Sequence, residues 1–188
     1  MAVQGRTDID ALLAKSLKEI AGKRPVEKIT IKEITDKAGV IRPTFYNHFQ
    51  DKFELIEWII KTELLEPVKP LIGTGMITEA MVLLFTNIEK DKMFYMHLVK
   101  MEGPVKFHDI AQKCVGEVML ELITKHSSGG STRHKWLTPQ VISTYYAQSM
   151  CFATEEWISM GMTISPREMA EAYQYMLTRS FTDVVREL

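Results

Sequence analysis

Apolar residues recur at spacings of three and four along most of the chain, the spacing that lays hydrophobic side chains along one face of a helix. Across residues 7–22 the stripe is Ile9, Leu12, Leu13, Leu17 and Ile20, with Thr7 as the expected cap and Gly22-Lys23-Arg24-Pro25 as the break. Thr30 and Glu33 form a capping box that starts a second helix at Ile31, and Ile31, Ile34 and Ala38 share its buried face. Gly39 ends it, because glycine takes a left-handed conformation cheaply. A third helix begins near Arg42, since Pro43 is tolerated only in a first turn, and places Phe45 and Phe49 on one face. Asp51 with Glu54 opens a fourth at Lys52, which limits the third to about two turns. Two short helices joined by a glycine turn read as a helix-turn-helix, whose second helix is the one placed in a DNA major groove.

The fourth helix runs through Phe53, Ile56, Ile59, Ile60 and Leu64 to about Glu66, where Pro67 and Pro70 are expected to end it. Its wide apolar face makes it the connector between head and body. Helical patterns follow over 77–88, 94–101 and 105–124, and then residues 126–133 read as a flexible loop. Thr138-Pro139 starts a long helix with two apolar faces, one carrying Ile142, Tyr145, Ser149 and Phe152, the other Tyr146, Met150, Ala153, Trp157 and Met160. The last helix opens at Ser165-Pro166-Arg167-Glu168 and shows Met169, Tyr173 and Met176 beside Leu177, Phe181 and Val184. A surface helix needs only one apolar face, so the second predicts a symmetric four-helix dimer interface, assigned to Tyr146, Met150, Ala153, Trp157, Tyr173, Leu177, Phe181 and Val184. The expected fold is all-α with about nine helices: a helix-turn-helix head over 1–52 and a ligand-binding and dimerisation body over 53–188, joined by helix 52–66.

Composition narrows the function. The 188 residues are 46% apolar and 25% charged, a globular composition. Net charge is −1, which argues against an unspecific polyanion binder. Residues 1–55 hold 10 Lys and Arg against 8 Asp and Glu, and the remainder 13 against 16, an asymmetry that suits a DNA-facing head on a body of other purpose. The longest apolar runs, such as 81–85, fall far short of the roughly 20 residues that cross a bilayer. The N-terminus lacks the apolar core of a signal peptide, so a cytoplasmic protein without a membrane partner is expected. Cys114 and Cys151 read as packed thiols. His48, His97, His108, His126 and His134 show no HExxH spacing, and no phosphate-binding glycine loop is present. No metal, cofactor or enzyme activity is expected.

Residues 29–56, ITIKEITDKAGVIRPTFYNHFQDKFELI, resemble the DNA-binding head of the TetR/AcrR repressors, with Ala38-Gly39-Val40, Thr44-Phe45-Tyr46, His48-Phe49, Lys52 and Leu55 in register. Residues 156–162 followed by 165–170 are similar to the C-terminal domain of a subgroup typified by dihydroxyacetone kinase regulators. The resemblance implies a homodimer, a regulatory pocket in each body and two heads on a palindromic operator. It also implies that Thr44, Tyr46, His48 and Lys52 contact phosphates and base edges. Arg42 and Asn47 are the expected base readers, since arginine pairs bidentately with guanine and asparagine with adenine. Thr30 and Pro43 complete the expected DNA-facing set. Ile41 stands where the family usually has a Ser or Thr cap, and Asn47 where many members have a basic residue. Both departures predict modest affinity and a shallow salt dependence.

In the body, Phe85, Phe94, His97, Met101, Phe107, Cys114, Tyr145, Ser149 and Phe152 are the expected lining of a small-molecule pocket, adaptable methionines and aromatics with a few polar anchors. The leading expectation is a homodimeric repressor released by an unknown small-molecule effector. Its rival is a coregulator that works through a protein partner and binds DNA weakly itself.

Overall fold

The computed structural model describes residues 2–126 and 134–187. All regular structure among them is helical, and no helix is long and apolar enough to cross a membrane. Helix α1 (Ala2–Ala21) precedes a 3₁₀ turn at Val26–Lys28, then α2 (Ile31–Ala38) and α3 (Arg42–Tyr46). The expected start at residue 7 is wrong: Thr7 lies inside α1, past the amides a cap would satisfy. Leu13, Leu17, Val26, Ile34, Phe45 and Leu55 are fully buried and build the head's core, whereas Leu12 is exposed. Both ends of α2 follow the sequence reading. Thr30 accepts from the Glu33 amide while the Glu33 carboxylate takes the Thr30 amide, and Gly39 closes the helix at φ 69°.

Lys52 does unexpected work in this head. Its Nζ donates to the carbonyls of Val26, Glu27 and Ile29 at 2.8, 2.9 and 2.8 Å, so all three ammonium protons are engaged. Burial pulls its pKa down. The side chain staples the start of α4 to the strap that carries the chain from α1 to α2.

The connector also departs from expectation. Helix α4 (Lys52–Ile59) passes through a π turn (Ile60–Leu65) directly into α5 (Glu66–Gly73), so Pro67 and Pro70 lie within a continuous helix instead of ending it. Proline has no N–H to offer the carbonyl four residues back and its ring crowds that carbonyl. Widening the preceding turn relieves the crowding. The carbonyl that Pro67 leaves unpaired, that of Glu63, accepts from Asn87 Nδ2 at 3.2 Å. The buried pairs Leu55-Ile56, Ile59-Ile60 and Leu64-Leu65 step by four and then by five, and the longer step is the π turn itself.

Helices α6 (Ile77–Lys90), α7 (Lys92–Leu98), α8 (Phe107–His126), α9 (Pro139–Ser159) and α10 (Pro166–Thr178) form the body, and α11 (Phe181–Glu187) follows a break at Arg179. α8 packs along α9, and α10 packs on α6. The loop expected at 126–133 lies, His126 apart, outside the described residues. Head and body are tied by Lys18 of α1, which reaches Glu63 in the π turn at 2.6 Å and Asp91 at 2.7 Å. Burial opposes its charge, but the hydrogen bonds to Asp91 and Glu63 outweigh burial and raise its pKa.

Replacing Lys52 by Met leaves three carbonyls without their donor and is expected to lower stability by about 1–3 kcal/mol in denaturant titration. A second expectation concerns acid. Glu33 is held at about 2, below its usual 4.5, by the Thr30 amide first and Arg24 next. Because the folded pKa is the lower one, its contribution is complete above about 4.5 and is lost as pH falls toward 2. Glu33→Gln should therefore flatten the dependence of unfolding free energy on pH in that window.

Candidate nucleic-acid interface

Helix α3 is only five residues long. Phe45 and Phe49 are buried and pack ring against ring at 5.8 Å, which fixes the helix to the head by one face. The other face is open: Arg42, Pro43 and Asn47 are exposed, Tyr46 is 58% exposed, and Thr44 is half-buried. The Tyr46 ring stands edge-on to Phe45 at 5.6 Å, so its phenol is held outward by packing. Among the described residues Arg42 forms no ion pair, so its guanidinium has its donors free. Thr30 is exposed, but its hydroxyl already serves the α2 capping box.

Two expected DNA contacts sit elsewhere. The His48 side chain is 10% exposed and its Nδ1 lies 2.6 Å from Asp10 Oδ1 on α1. Lys52 is engaged by its three carbonyls. Both are family-motif residues, and both hold the head together here. No sequence signal marks them as inward-facing, because their partners, Asp10 and three backbone oxygens, lie 23 to 38 residues away.

The body required larger corrections. Met150, Ala153, Trp157 and Tyr173, assigned to the dimer interface, are buried inside the single chain. Trp157 packs on Phe85 at 5.2 Å and donates to the Ile164 carbonyl at 3.0 Å. Tyr145 and Phe152, assigned to the pocket, are each 66% exposed. Of the two apolar faces read on α9, the one assigned to the interface turns Met150, Ala153 and Trp157 into the core, while Tyr145 and Phe152 of the other stand exposed. Tyr146, Leu177 and Phe181 are exposed as expected and Val184 is half-buried, although Phe181 and Val184 belong to the separate α11. Burial raises the Tyr173 pKa and Ser149 partly offsets it, while His97 turns to the Ala21 carbonyl of α1.

The apolar cavity of the body has a volume of about 40 Å³ and is lined by Leu64, Leu84, Tyr95, Phe107, Met150 and Glu155 among others. Of the expected pocket residues only Phe107 borders it; Phe85, Phe94, Met101 and Cys114 are core beside it. Burial pushes the Cys114 and Cys151 thiols up to about 12, which keeps both protonated. Tyr95 was missed. It is 1% exposed, and its hydroxyl is the one buried side-chain polar atom without a hydrogen-bond partner among the described residues. A tyrosine inside an apolar helical stripe looks, in sequence, like any other core aromatic. No cluster of His, Cys, Asp and Glu able to hold a metal occurs among the described residues.

The chain resembles known proteins along most of its length. It is 24% identical over 155 residues to the HTH-type dhaKLM operon transcriptional activator DhaS of Lactococcus lactis subsp. lactis (strain IL1403), covering 81% of each chain. The solved structure of the dihydroxyacetone kinase operon activator DhaS superposes with a TM-score of 0.64 at 21% identity, covering 90% of this chain and 93% of that one. NalD of Pseudomonas aeruginosa, described as the secondary repressor of a multidrug efflux pump, superposes at 0.58 with 18% identity, covering 89% and 93%. Thermus thermophilus FadR, a repressor solved with lauroyl-CoA, does so at 0.58 with 18% identity, covering 89% and 92%. Residues 14–59 match the bacterial regulatory proteins of the tetR family, and residues 76–179 match the transcriptional regulator C-terminal region of that family. The chain therefore belongs to the tetR family and is a DNA-binding transcriptional regulator, not an enzyme.

Proposed function

We propose that the chain acts as a homodimeric repressor, reads a palindromic operator through paired α3 helices and leaves it when a small molecule opens the body cavity. The observation that carries this reading is the split of α3 into an anchored aromatic face and an open face of Arg42, Pro43, Tyr46 and Asn47. Those groups suit a groove: a fork for guanine, an amide for adenine, a phenol for phosphate. Dimerisation is supported by the aromatics left open on α9 and α11, Tyr145, Phe152 and Phe181 at 66, 66 and 83% exposure, since large exposed apolar groups mark interaction surfaces when they come together. Pairing of α9 and α10 with their symmetry copies would cover them.

Effector control is supported by the cavity and by Tyr95 in its lining, whose hydroxyl has no hydrogen-bond partner among the described residues. At about 40 Å³ the space is far below the roughly 300–1,000 Å³ of a drug-sized pocket, so a ligand must displace the walls. The π turn supplies Ile60, Leu64 and Leu65 to those walls, and Lys18 ties the same turn to the head. A ligand that opens the cavity therefore pushes on the element that sets the head's position, and operator and ligand favour different states. The small cavity also favours a second reading, a coregulator commanded by a protein partner instead of a ligand. DNA retardation by the purified chain alone separates the two, since the coregulator should bind weakly.

Tyr46→Ala is expected to weaken operator binding by about tenfold or more, with sedimentation still reporting a dimer. With His48 and Lys52 turned inward, each head has few cations for phosphate. The slope of log affinity against log salt should be shallow, and a slope equivalent to about six phosphates per head would contradict the set proposed. Tyr95→Phe removes an unpaired buried hydroxyl and should raise the stability of the ligand-free protein by about 1 kcal/mol in thermal unfolding. A reporter placed behind the operator reads the sign of regulation, with lowered expression expected.

A further inference from the structure

Ile41 has no explanation within the fold. It occupies the cap position of α3 with extended backbone, φ −87° and ψ 154°, and makes no side-chain cap bond. Thr30, Asp51, Thr138 and Ser165 each cap their own helices with a side-chain oxygen, so this chain forgoes at the recognition helix what it does elsewhere. The isoleucine side chain is 69% exposed. It does not belong to the C-terminal apolar patch, because α3 packs on α2 while α9 and α10 pack on α8 and α6. Its neighbours on the open face are Arg42, Pro43, Tyr46 and Asn47, all exposed.

In a B-form major groove each base edge offers hydrogen-bond donors and acceptors, and the apolar group among them is the 5-methyl of thymine. We propose that Ile41 is a specificity-determining residue that packs on a thymine methyl within the half-site read by Arg42. The side chain suits this role. β-Branching leaves it few rotamers, so little freedom is lost when it is pressed against a base. Ile41 and Arg42 are consecutive at the start of α3, so both sit at the end of the helix that a recognition helix turns toward base edges. A serine at the same position would cap α3 and address phosphate or any base; isoleucine addresses thymine alone. The inference rests on the DNA-binding reading and adds to it which base is read, and by which chemical group.

The full-length protein is used to enrich duplexes from a random 30-base-pair library, and affinity for the enriched duplex is measured by fluorescence anisotropy. Each thymine is then replaced in turn by deoxyuridine, which deletes only the methyl. One position per half-site should weaken binding about fourfold, the factor expected for one buried methyl. Ile41→Ser should bind the thymine duplex about fourfold more weakly and not distinguish uracil from thymine at that position. This variant gains a cap and should melt no lower than the parent, which separates lost contact from lost folding. Wild-type indifference to every uracil overturns the proposal, as does an Ile41→Ser protein that keeps the full discrimination. Failure to enrich any duplex is a different result, and it would overturn the DNA-binding reading beneath.

Discussion

The constraint on which the molecule turns is that one helix must pack on the head helices at one end and on the body helices at the other, within one continuous core. From Lys52 to Gly73 the chain stays helical through a π turn and two prolines. Its N-terminal half buries Leu55 and Ile56 with the head, and its later half buries Leu64, Leu65 and Val68 in the body. A straight α-helix advances 3.6 residues per turn and keeps one stripe on one side. The extra residue of the π turn re-aims the stripe from the head side of the core to the body side. Pro67 makes the wide turn a local necessity, and Asn87 satisfies the carbonyl it frees. Lys18 then locks the wide turn to α1 and to Asp91 at the junction of α6 and α7.

The head is economical with charge in a way the family pattern conceals. A lysine and a histidine at motif positions look like groups for an anionic partner. Geometry decides otherwise, because three carbonyls converge on Lys52 and an aspartate meets His48. An ammonium whose three protons are engaged has none left for phosphate, unless the strap between α1 and α2 opens. The open face of α3 is left with one guanidinium, an amide, a phenol and apolar edges, and on DNA such a face would discriminate through base edges more than through backbone attraction.

Local signals were legible and long-range ones were not. The capping boxes at Thr30 and Ser165, the glycine end of α2 and the first-turn prolines are written in residues three or four apart, and the structure has each of them. The all-helical class and the head followed from periodicity. Where a choice depended on what lay opposite, sequence offered no purchase. The two faces of α9 are both apolar, and only the arrival of Phe85, with the Ile164 carbonyl held by Trp157, makes one of them core. Pro67 and Pro70 were read as stops because proline usually is one, whereas the five-residue step between Ile59-Ile60 and Leu64-Leu65 was visible and records the π turn. Tyr95 differs from the phenylalanines around it by one oxygen, and whether that oxygen has a partner is a property of the packed interior alone.

Tyr95 and the π turn border the same small space, and Lys18 ties that turn to α1. Tyr95 and the π-turn residues Ile60, Leu64 and Leu65 line one cavity. Asp91, four residues before Tyr95, holds the far side of the Lys18 tie. Packed interiors resist continuous deformation and shift between discrete arrangements. A ligand or partner that separated Tyr95 from Leu64 would act on the turn and on the Lys18 anchor together. Rotation of α1 would follow, and through Asp10 and His48 it would carry α3 with it.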